Sequence, residues 1–310
     1  MDRLSTKHFI GLEDATVNDI NLIINTALTF REILDRPIKK VPSLKGINIV
    51  NLFFENSTRT KLSFELAEKR LSADVLNFSA SSSSLNKGES LRDTVQNIQA
   101  MKIDCAVMRH PVPGSCKQLT EYLDCPIVNA GDGTHEHPTQ AMLDITSIYE
   151  KFGKIKGLKV VIVGDILHSR VAMSNIFGLK TMGAEVMLCG PSHLIPKYIS
   201  DFGVEISHDI DEALEWGDVI NILRIQRERM GIGLIPSIRE YRKLFGITKE
   251  RIQKLNKEII IMHPGPINRG VEVDSYVADS EQSIILNQVL NGVAVRMSVL
   301  YLLLGANNED

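Results

Sequence analysis

The stretch Asn51-Leu-Phe-Phe-Glu-Asn-Ser-Thr-Arg-Thr-Lys-Leu-Ser-Phe-Glu-Leu-Ala-Glu-Lys-Arg70 decides how this chain is read. An apolar run, Ile47–Phe54, has the length and composition of a buried strand. It breaks at Glu55-Asn56, and apolar spacing at Leu62, Leu66 and Ala67 then predicts a helix over Thr60–Leu71. Ser57, Thr58, Arg59 and Thr60 therefore fall on a strand-to-helix turn, at the positive end of the helix. Backbone N–H groups, hydroxyls and one guanidinium fork converge there, which suits a phosphate. The first expectation is small-molecule anion chemistry.

Outward from this turn, strand-like runs alternate with helical patterns. Further strands are expected at Ile103–Met108, Leu158–Val163, Glu185–Cys189, Asp218–Leu223 and Glu258–Met262. Helices are expected at Leu91–Met101, Thr139–Phe152 and Ser169–Met182, the last two stopped by Gly153 and Gly183. Such alternation predicts an α/β fold of two domains, each a mostly parallel sheet with helices on both faces. The polar, glycine-punctuated stretch Lys151–Gly157 marks the junction, giving domains 1–150 and 151–283. A C-terminal helix within 284–310 is left to pack back onto the first. Ligands of such folds sit beyond the carboxyl ends of the strands, often in a crevice between domains.

Composition narrows the function. With 310 residues there is room for two full cores, and 35 Lys+Arg against 38 Asp+Glu leave a charge of −3. No basic run offers a surface to nucleic acid, so no nucleic-acid partner is expected. The N-terminal residues show no signal-peptide pattern. The apolar stretch Ser283–Leu304 is interrupted by Asn287, Gln288, Asn291 and Arg296, which argues for a buried or amphipathic helix and against a membrane partner. Cys105, Cys116, Cys125 and Cys189 lack C-x-x-C spacing, so neither zinc nor a disulfide framework is indicated. A cytoplasmic protein is expected.

Other polar clusters also fall at strand ends or helix starts. Ser79–Glu89 is a polar segment able to bring hydroxyls and Lys87 to an anion, or simply a solvated loop. Arg109 ends the 103–108 strand and points either into a crevice or to the surface. His137 and Gln140 flank Pro138 at a second helix start. From there they can donate to a carbonyl oxygen and read an amide, or His137 can serve as a structural cap. His135-x-His137 has the spacing that half of a metal site could use, but no further His, Cys or Asp cluster has ligand spacing to complete one. Gly164 lacks the G-x-G-x-x-G pattern of a dinucleotide turn. Arg170 sits near a helix start, where a cation is tolerable beside an anionic ligand. Arg224 and Gln226 share one face by alternation and can grip a carboxylate, or they belong to a charged, solvated helix start. Beyond the last strand, His263-Pro-Gly-Pro266 has its backbone fixed by prolines, so its carbonyls can be aimed at a ligand, or it is an ordinary rigid turn. No nucleophile–base pair is evident.

In this order, Ser57–Thr60, Lys87-Gly-Glu89, Met108–Pro111, His137–Gln140, Leu223–Gln226 and His263–Pro266 resemble the carbamoyltransferases over essentially the whole chain. The fit is to the aspartate-specific branch of that family. The resemblance implies transfer of the carbamoyl group of carbamoyl phosphate to the α-amino group of L-aspartate, the committed step of pyrimidine synthesis, without a cofactor. It implies a carbamoyl-phosphate domain at 1–150 and an aspartate domain at 151–283. It further implies that Ser57, Thr58, Arg59, Thr60 and Arg109 hold the phosphate, and that Thr60, Arg109 and His137 reach the carbamoyl oxygen. Gln140 and the backbone of Gly265 and Pro266 would bind the carbamoyl amide. Arg170 would take the α-carboxylate of aspartate, Arg224 and Gln226 the β-carboxylate, and Lys87 would bridge both substrates. Lys87 and a loop serine, Ser83 or Ser84, would come from the neighbouring subunit of a homotrimer with shared active sites. Regulatory chains or another pyrimidine enzyme are possible further partners. The ornithine branch shares the phosphate half, but its His-Cys-Leu-Pro segment is here His263-Pro-Gly-Pro266, and a substrate ammonium would face Arg224. A catalytically silent homologue would lack site groups, and none is missing. Asn86 stands where some members carry a second basic residue.

Overall fold

The computed structural model describes residues 3–79, 90–225 and 237–305. Lys87, Ser83, Ser84 and Gln226 lie outside the described residues. The chain forms two compact units, Met1–Thr146 with Leu290–Asp310, and Ser147–Val289.

The first unit contains helix α1 (Val17–Leu34), strand β1 (Asn48–Phe53), α2 (Thr58–Arg70), β2 (Asp74–Ser79) and α3 (Leu91–Ala100). These are followed by β3 (Cys105–His110), α4 (Ser115–Leu119), β4 (Ile127–Asp132) and the start of α5 (Pro138–Phe152). Its sheet has the order β2-β1-β3-β4, and every neighbouring pair is parallel. Parallel strands are covered on both faces, which is why β1 is buried along nearly its whole length and reads as an apolar run. The chain leaves β1 for β2 on one side and returns to β3 on the other. The order reverses between β1 and β3, and the crevice at their carboxyl ends is where such a sheet receives a ligand.

The second unit carries β5 (Lys159–Val163), α6 (Arg170–Thr181), β6 (Glu185–Cys189), β7 (Glu205–Ser207) and α7 (Ile210–Trp216). After them come β8 (Val219–Ile222), α8 (Ile238–Phe245), α9 (Lys249–Lys254), β9 (Ile260–Met262) and α10 (Ser275–Ala278), then the start of α11 (Ile285–Leu304). The order is β7-β6-β5-β8-β9, again parallel throughout, and it reverses between β5 and β8. Val161, Val163, Ile220, Ile222 and Ile261 fill one core with Tyr241 and Phe245 of α8.

Several details differ from the sequence reading, among them α1, β2 and β7, which it did not place. α2 forms, but its buried face is Phe64, Ala67 and Glu68, whereas Leu62 and Leu66 are exposed. The apolar spacing located the helix and misjudged the side it buries. β4 was not expected, because its sequence Ile-Val-Asn-Ala-Gly-Asp is broken by Asn129, Gly131 and Asp132, yet all of it is buried. The polar side chains are satisfied internally: Asn129 Nδ2 donates to Asp132 Oδ1 at 2.8 Å and to the Ile10 carbonyl at 2.9 Å, and its Oδ1 accepts from the Gly131 N–H at 2.7 Å. α11 is long and apolar enough to cross a membrane by composition, but 67% of that window is buried inside the protein. Within the first unit its Ser298 hydroxyl donates to the Ile23 carbonyl of α1 at 2.9 Å.

α2 is pinned to β1 by a buried polar pair, Asn51 Nδ2 donating to Glu68 Oε2 at 2.8 Å. Burial pushes the Glu68 carboxyl from its ordinary 4.5 up to about 8. The folded state then holds a proton that the unfolded chain has lost, so this group's contribution to stability falls as pH rises from about 4.5 to about 8. At about 1.4 kcal/mol per pH unit, a few kcal/mol are at stake. Glu68→Gln keeps an acceptor for Asn51 and cannot ionise. In urea melts at pH 5 and pH 8.5 the wild type should lose stability relative to this variant. Parallel behaviour of the two proteins would show that the carboxyl stays ionised throughout.

Candidate active site

At the β1–β3 reversal, the N-cap of α2 differs from those of most of the longer helices. Thr16, Ser90, Ser169, Asp209, Ser237 and Thr248 each accept a backbone N–H at the start of their helices. Ser57 is extended and makes no side-chain cap bond, and no acidic residue stands in the first turn of α2. The first-turn N–H groups and the Ser57 hydroxyl are thus presented together with Thr58 and Arg59, which are exposed, and Thr60, which is half-buried. An anion is the natural missing cap.

The neighbouring strand end supplies Arg109. Its Nη2 pairs with Glu55 Oε1 at 2.7 Å, and its Nη1 donates to the Ala130 carbonyl at 3.1 Å and to Thr60 Oγ1 at 3.5 Å. The fork is thereby held beside the α2 turn. Behind it lies Arg296 of α11, whose Nη1 donates to Ser63 Oγ and to the Gly292 carbonyl, both at 2.9 Å. Burial, reinforced by the charge of Arg109, pushes the Arg296 guanidinium down to about 9. Glu55 and Arg296 are site-shaping residues that sequence reading missed. The only signal for Glu55 was its adjacency to the turn, and Arg296 comes from the far end of the chain.

His137 is buried immediately before α5, and its carbonyl accepts from the Gln140 N–H at 2.9 Å and the Ala141 N–H at 3.3 Å. Pro138 is the first residue of that helix, where its missing N–H costs nothing. Gln140 Nε2 donates to Asp144 Oδ1 at 3.0 Å. A carboxylate only accepts, so this bond turns the Gln140 amide oxygen the other way, as an acceptor for a substrate N–H. His135 serves a different purpose: its Nδ1 lies 3.1 Å from Asp132 Oδ2, and that bond raises its pKa. It is a structural contact that ties β4 to the following turn. Among the described residues, no group of three or more His, Cys, Asp or Glu is placed to hold a metal ion.

The second unit repeats the arrangement at its own reversal. Gly164 ends β5 at φ +125, where a Cβ would lie 3.3 Å from both the Leu223 carbonyl and the Tyr241 hydroxyl oxygen. Only glycine lets the β5–α6 turn lie this close to the chain leaving β8. Asp165 accepts from the N–H of His168 at 3.2 Å and pairs with its Nδ1 at 2.9 Å, shaping the turn, and Ser169 caps α6. Arg170 is then the first residue of α6 and is buried, and Arg224 is half-buried two residues beyond β8. Two guanidiniums thus stand on adjacent strand ends, with no acidic residue in the first turn of α6. That pattern suits a dicarboxylate. Gln226 lies outside the described residues, as does Lys87. After β9, Gly265 is half-buried and Pro266 exposed, joined by a cis peptide bond.

The profile of the aspartate/ornithine carbamoyltransferase carbamoyl-P binding domain matches residues 7–150, and that of the Asp/Orn binding domain matches residues 156–303. The chain belongs to the aspartate/ornithine carbamoyltransferase family. Within that family it is 62% identical over 305 residues to the aspartate carbamoyltransferase catalytic subunit of Cytophaga hutchinsonii, covering 98% of this chain and 99% of the relative. It is 63% identical over 300 residues to the corresponding subunit of Christiangramia forsetii, covering 97% of each. Among solved structures, it resembles aspartate transcarbamoylase from Trypanosoma cruzi in complex with carbamoyl phosphate and aspartate. That likeness has a TM-score of 0.87 and 30% identity, over 97% of this chain and 98% of that one. It also resembles ornithine carbamoyltransferase from Pyrococcus furiosus, with a TM-score of 0.86 and 29% identity, over 98% and 99% of the two chains.

Proposed function

We infer that this carbamoyltransferase moves the carbamoyl group of carbamoyl phosphate onto the α-amino group of L-aspartate, giving N-carbamoyl-L-aspartate and phosphate. The observation that carries the reading is the N-terminus of α2, without a side-chain cap bond or a first-turn acid, with Arg109 beside it on the adjacent strand end. Ser57, Thr58, Arg59, Thr60 and Arg109 take the phosphate. Thr60, Arg109 and His137 stabilise the oxyanion that develops on the carbamoyl oxygen. Gln140 and the carbonyls of Gly265 and Pro266 receive the amide. Arg170 and Arg224, with Gln226, bind the two carboxylates of aspartate. The neutral amine attacks the carbamoyl carbon, the C–O bond to phosphate breaks, and the departing phosphate accepts the amine proton. Positioning and oxyanion stabilisation suffice, so no covalent nucleophile is needed.

The reading extends to a homotrimer in which Lys87, with Ser83 or Ser84, reaches the neighbouring subunit's site. Leu62 and Leu66 of α2 and Leu76 of β2 are exposed apolar side chains, surface that a subunit contact would cover. We place the reaction in pyrimidine synthesis and the protein in the cytoplasm, with regulatory chains or another pyrimidine enzyme as candidate partners.

Purified protein should carbamoylate L-aspartate and use L-ornithine at least about a hundredfold less well, because the ornithine ammonium would be set against Arg224. Colorimetric assay of the carbamoylated products measures both. Equal or greater turnover with ornithine would overturn the assignment.

A further inference from the structure

Beyond the groups that touch substrate, the structure assigns His263, Glu272 and Gln288 as positioning residues that aim the Gly265 and Pro266 carbonyls at the carbamoyl amide. The inference rests on the reading that these carbonyls receive that amide.

All three side chains belong to one buried network in the second unit. As the chain leaves β9, the His263 N–H donates to Gln288 Oε1 at 2.9 Å. The Gly265 N–H donates to His263 Nδ1 at 2.7 Å, which makes that nitrogen an acceptor and leaves the proton of a neutral ring on Nε2. Nε2 faces Glu272 Oε1 at 3.3 Å, and both side chains are fully buried. The same oxygen accepts from the Asn268 N–H at 2.6 Å. One carboxylate thus holds the imidazole at the start of the loop and the backbone at its end. Glu272 is itself anchored, its carbonyl accepting from the Ile247 N–H at 2.9 Å.

The geometry acts on the carbonyls through the peptide planes. An amide N–H held by a hydrogen bond fixes the plane of its own peptide. Here the bonded N–H groups of Gly265 and Asn268 bracket the segment from both sides, the ring of Pro266 locks the φ angle between the two carbonyls, and that of Pro264 fixes the backbone just before them. Little rotation remains for the Gly265 and Pro266 carbonyls. Asn268 Nδ2 also donates to the Ile225 carbonyl at 3.4 Å, tying the loop to the residue that follows Arg224. A buried carboxylate is costly to maintain unless it is well bonded. What this one organises is the loop that carries the Gly265 and Pro266 carbonyls.

The test compares carbamoyl phosphate with acetyl phosphate, which carries a methyl group where the amide nitrogen stands and cannot donate to these carbonyls. Dissociation constants are measured by titration calorimetry on the full-length chain, with folding checked by circular dichroism. Wild type should prefer carbamoyl phosphate. Glu272→Ala should lose about tenfold of that preference, through weaker binding of carbamoyl phosphate and not of acetyl phosphate. Glu272→Gln, which still accepts from His263 and Asn268, should keep most of it. Gln288→Met roughly preserves volume and deletes the side-chain amide, including the acceptor for the His263 N–H. It should shift the preference in the same direction by about threefold, and it keeps the test alive if the alanine variant does not fold. Folded variants that retain the wild-type preference would overturn the inference alone. A wild-type chain without any preference would overturn the functional reading, and the inference with it.

Discussion

Replacing Arg59 with alanine should lower kcat/KM for carbamoyl transfer by at least about a hundredfold while leaving the fold intact. Arg59 is exposed in the first turn of α2, so its truncation removes no core packing. Alanine is also the better helix former at that site. On the proposed reading, what the variant loses is a charge-assisted contact to phosphate at the moment negative charge grows on the leaving group. Such contacts are worth several kcal/mol in a preorganised site. Arg59→Lys should fall between wild type and alanine, since an ammonium keeps the charge without the planar fork. Steady-state kinetics alongside thermal melts separate the two roles. An alanine variant that loses activity only in proportion to its loss of folded protein would mark Arg59 as structural.

Two inactive proteins should regain activity when mixed. If Lys87 reaches the neighbouring subunit of a trimer, each site needs Arg59 from one chain and Lys87 from the next. Arg59→Ala and Lys87→Ala proteins should then each be nearly inactive alone. In trimers reassembled at random from equal amounts, a junction is productive only when an intact Arg59 meets an intact Lys87. Each condition holds with a probability of about one half, so about a quarter of wild-type activity should return. The motivating feature is the polar segment Ser79–Glu89, in which Lys87 is the only cation. Subunits must be dissociated before mixing, with each variant carried through alone. No recovery in verified mixed trimers would mean that Lys87 acts within its own chain or not at all.

Much of the fold was legible because parallel strands covered on both faces read as uninterrupted apolar runs. β1, β5, β6 and β8 all announce themselves this way, and Ser57–Thr60, Arg109, Arg170 and Arg224 each follow such a run or open the next helix. β4 was not legible, since its polar residues are satisfied by partners as distant as Ile10. α1 was not among the expected helices, although Ile20, Ile23, Ile24 and Ala27 line one buried face of it. Residues that act on the site through other residues were hidden for the same reason. Glu272 is an ordinary acid in a turn until His263 and Asn268 are seen to meet on one of its oxygens. Arg296 reads as an interruption of an apolar helix until Ser63 is found beside it.

The order of strands has a consequence for how such a chain changes over time. Each sheet reverses once, and each reversal has its own guanidiniums: Arg109 beside β1 and β3, Arg170 and Arg224 beside β5 and β8. On the proposed reading, recognition of the group donor is written mostly before Thr146 and that of its acceptor mostly after it, with Lys87, Gly265 and Pro266 crossing that divide. Mutations at the ends of β5 and β8 can sample new amine acceptors while the α2 turn goes on activating the same phosphate. Selection can accordingly act on what is carbamoylated without disturbing the carbamoyl supply, and a lineage can diverge in its product while its first 140 residues scarcely change in chemistry.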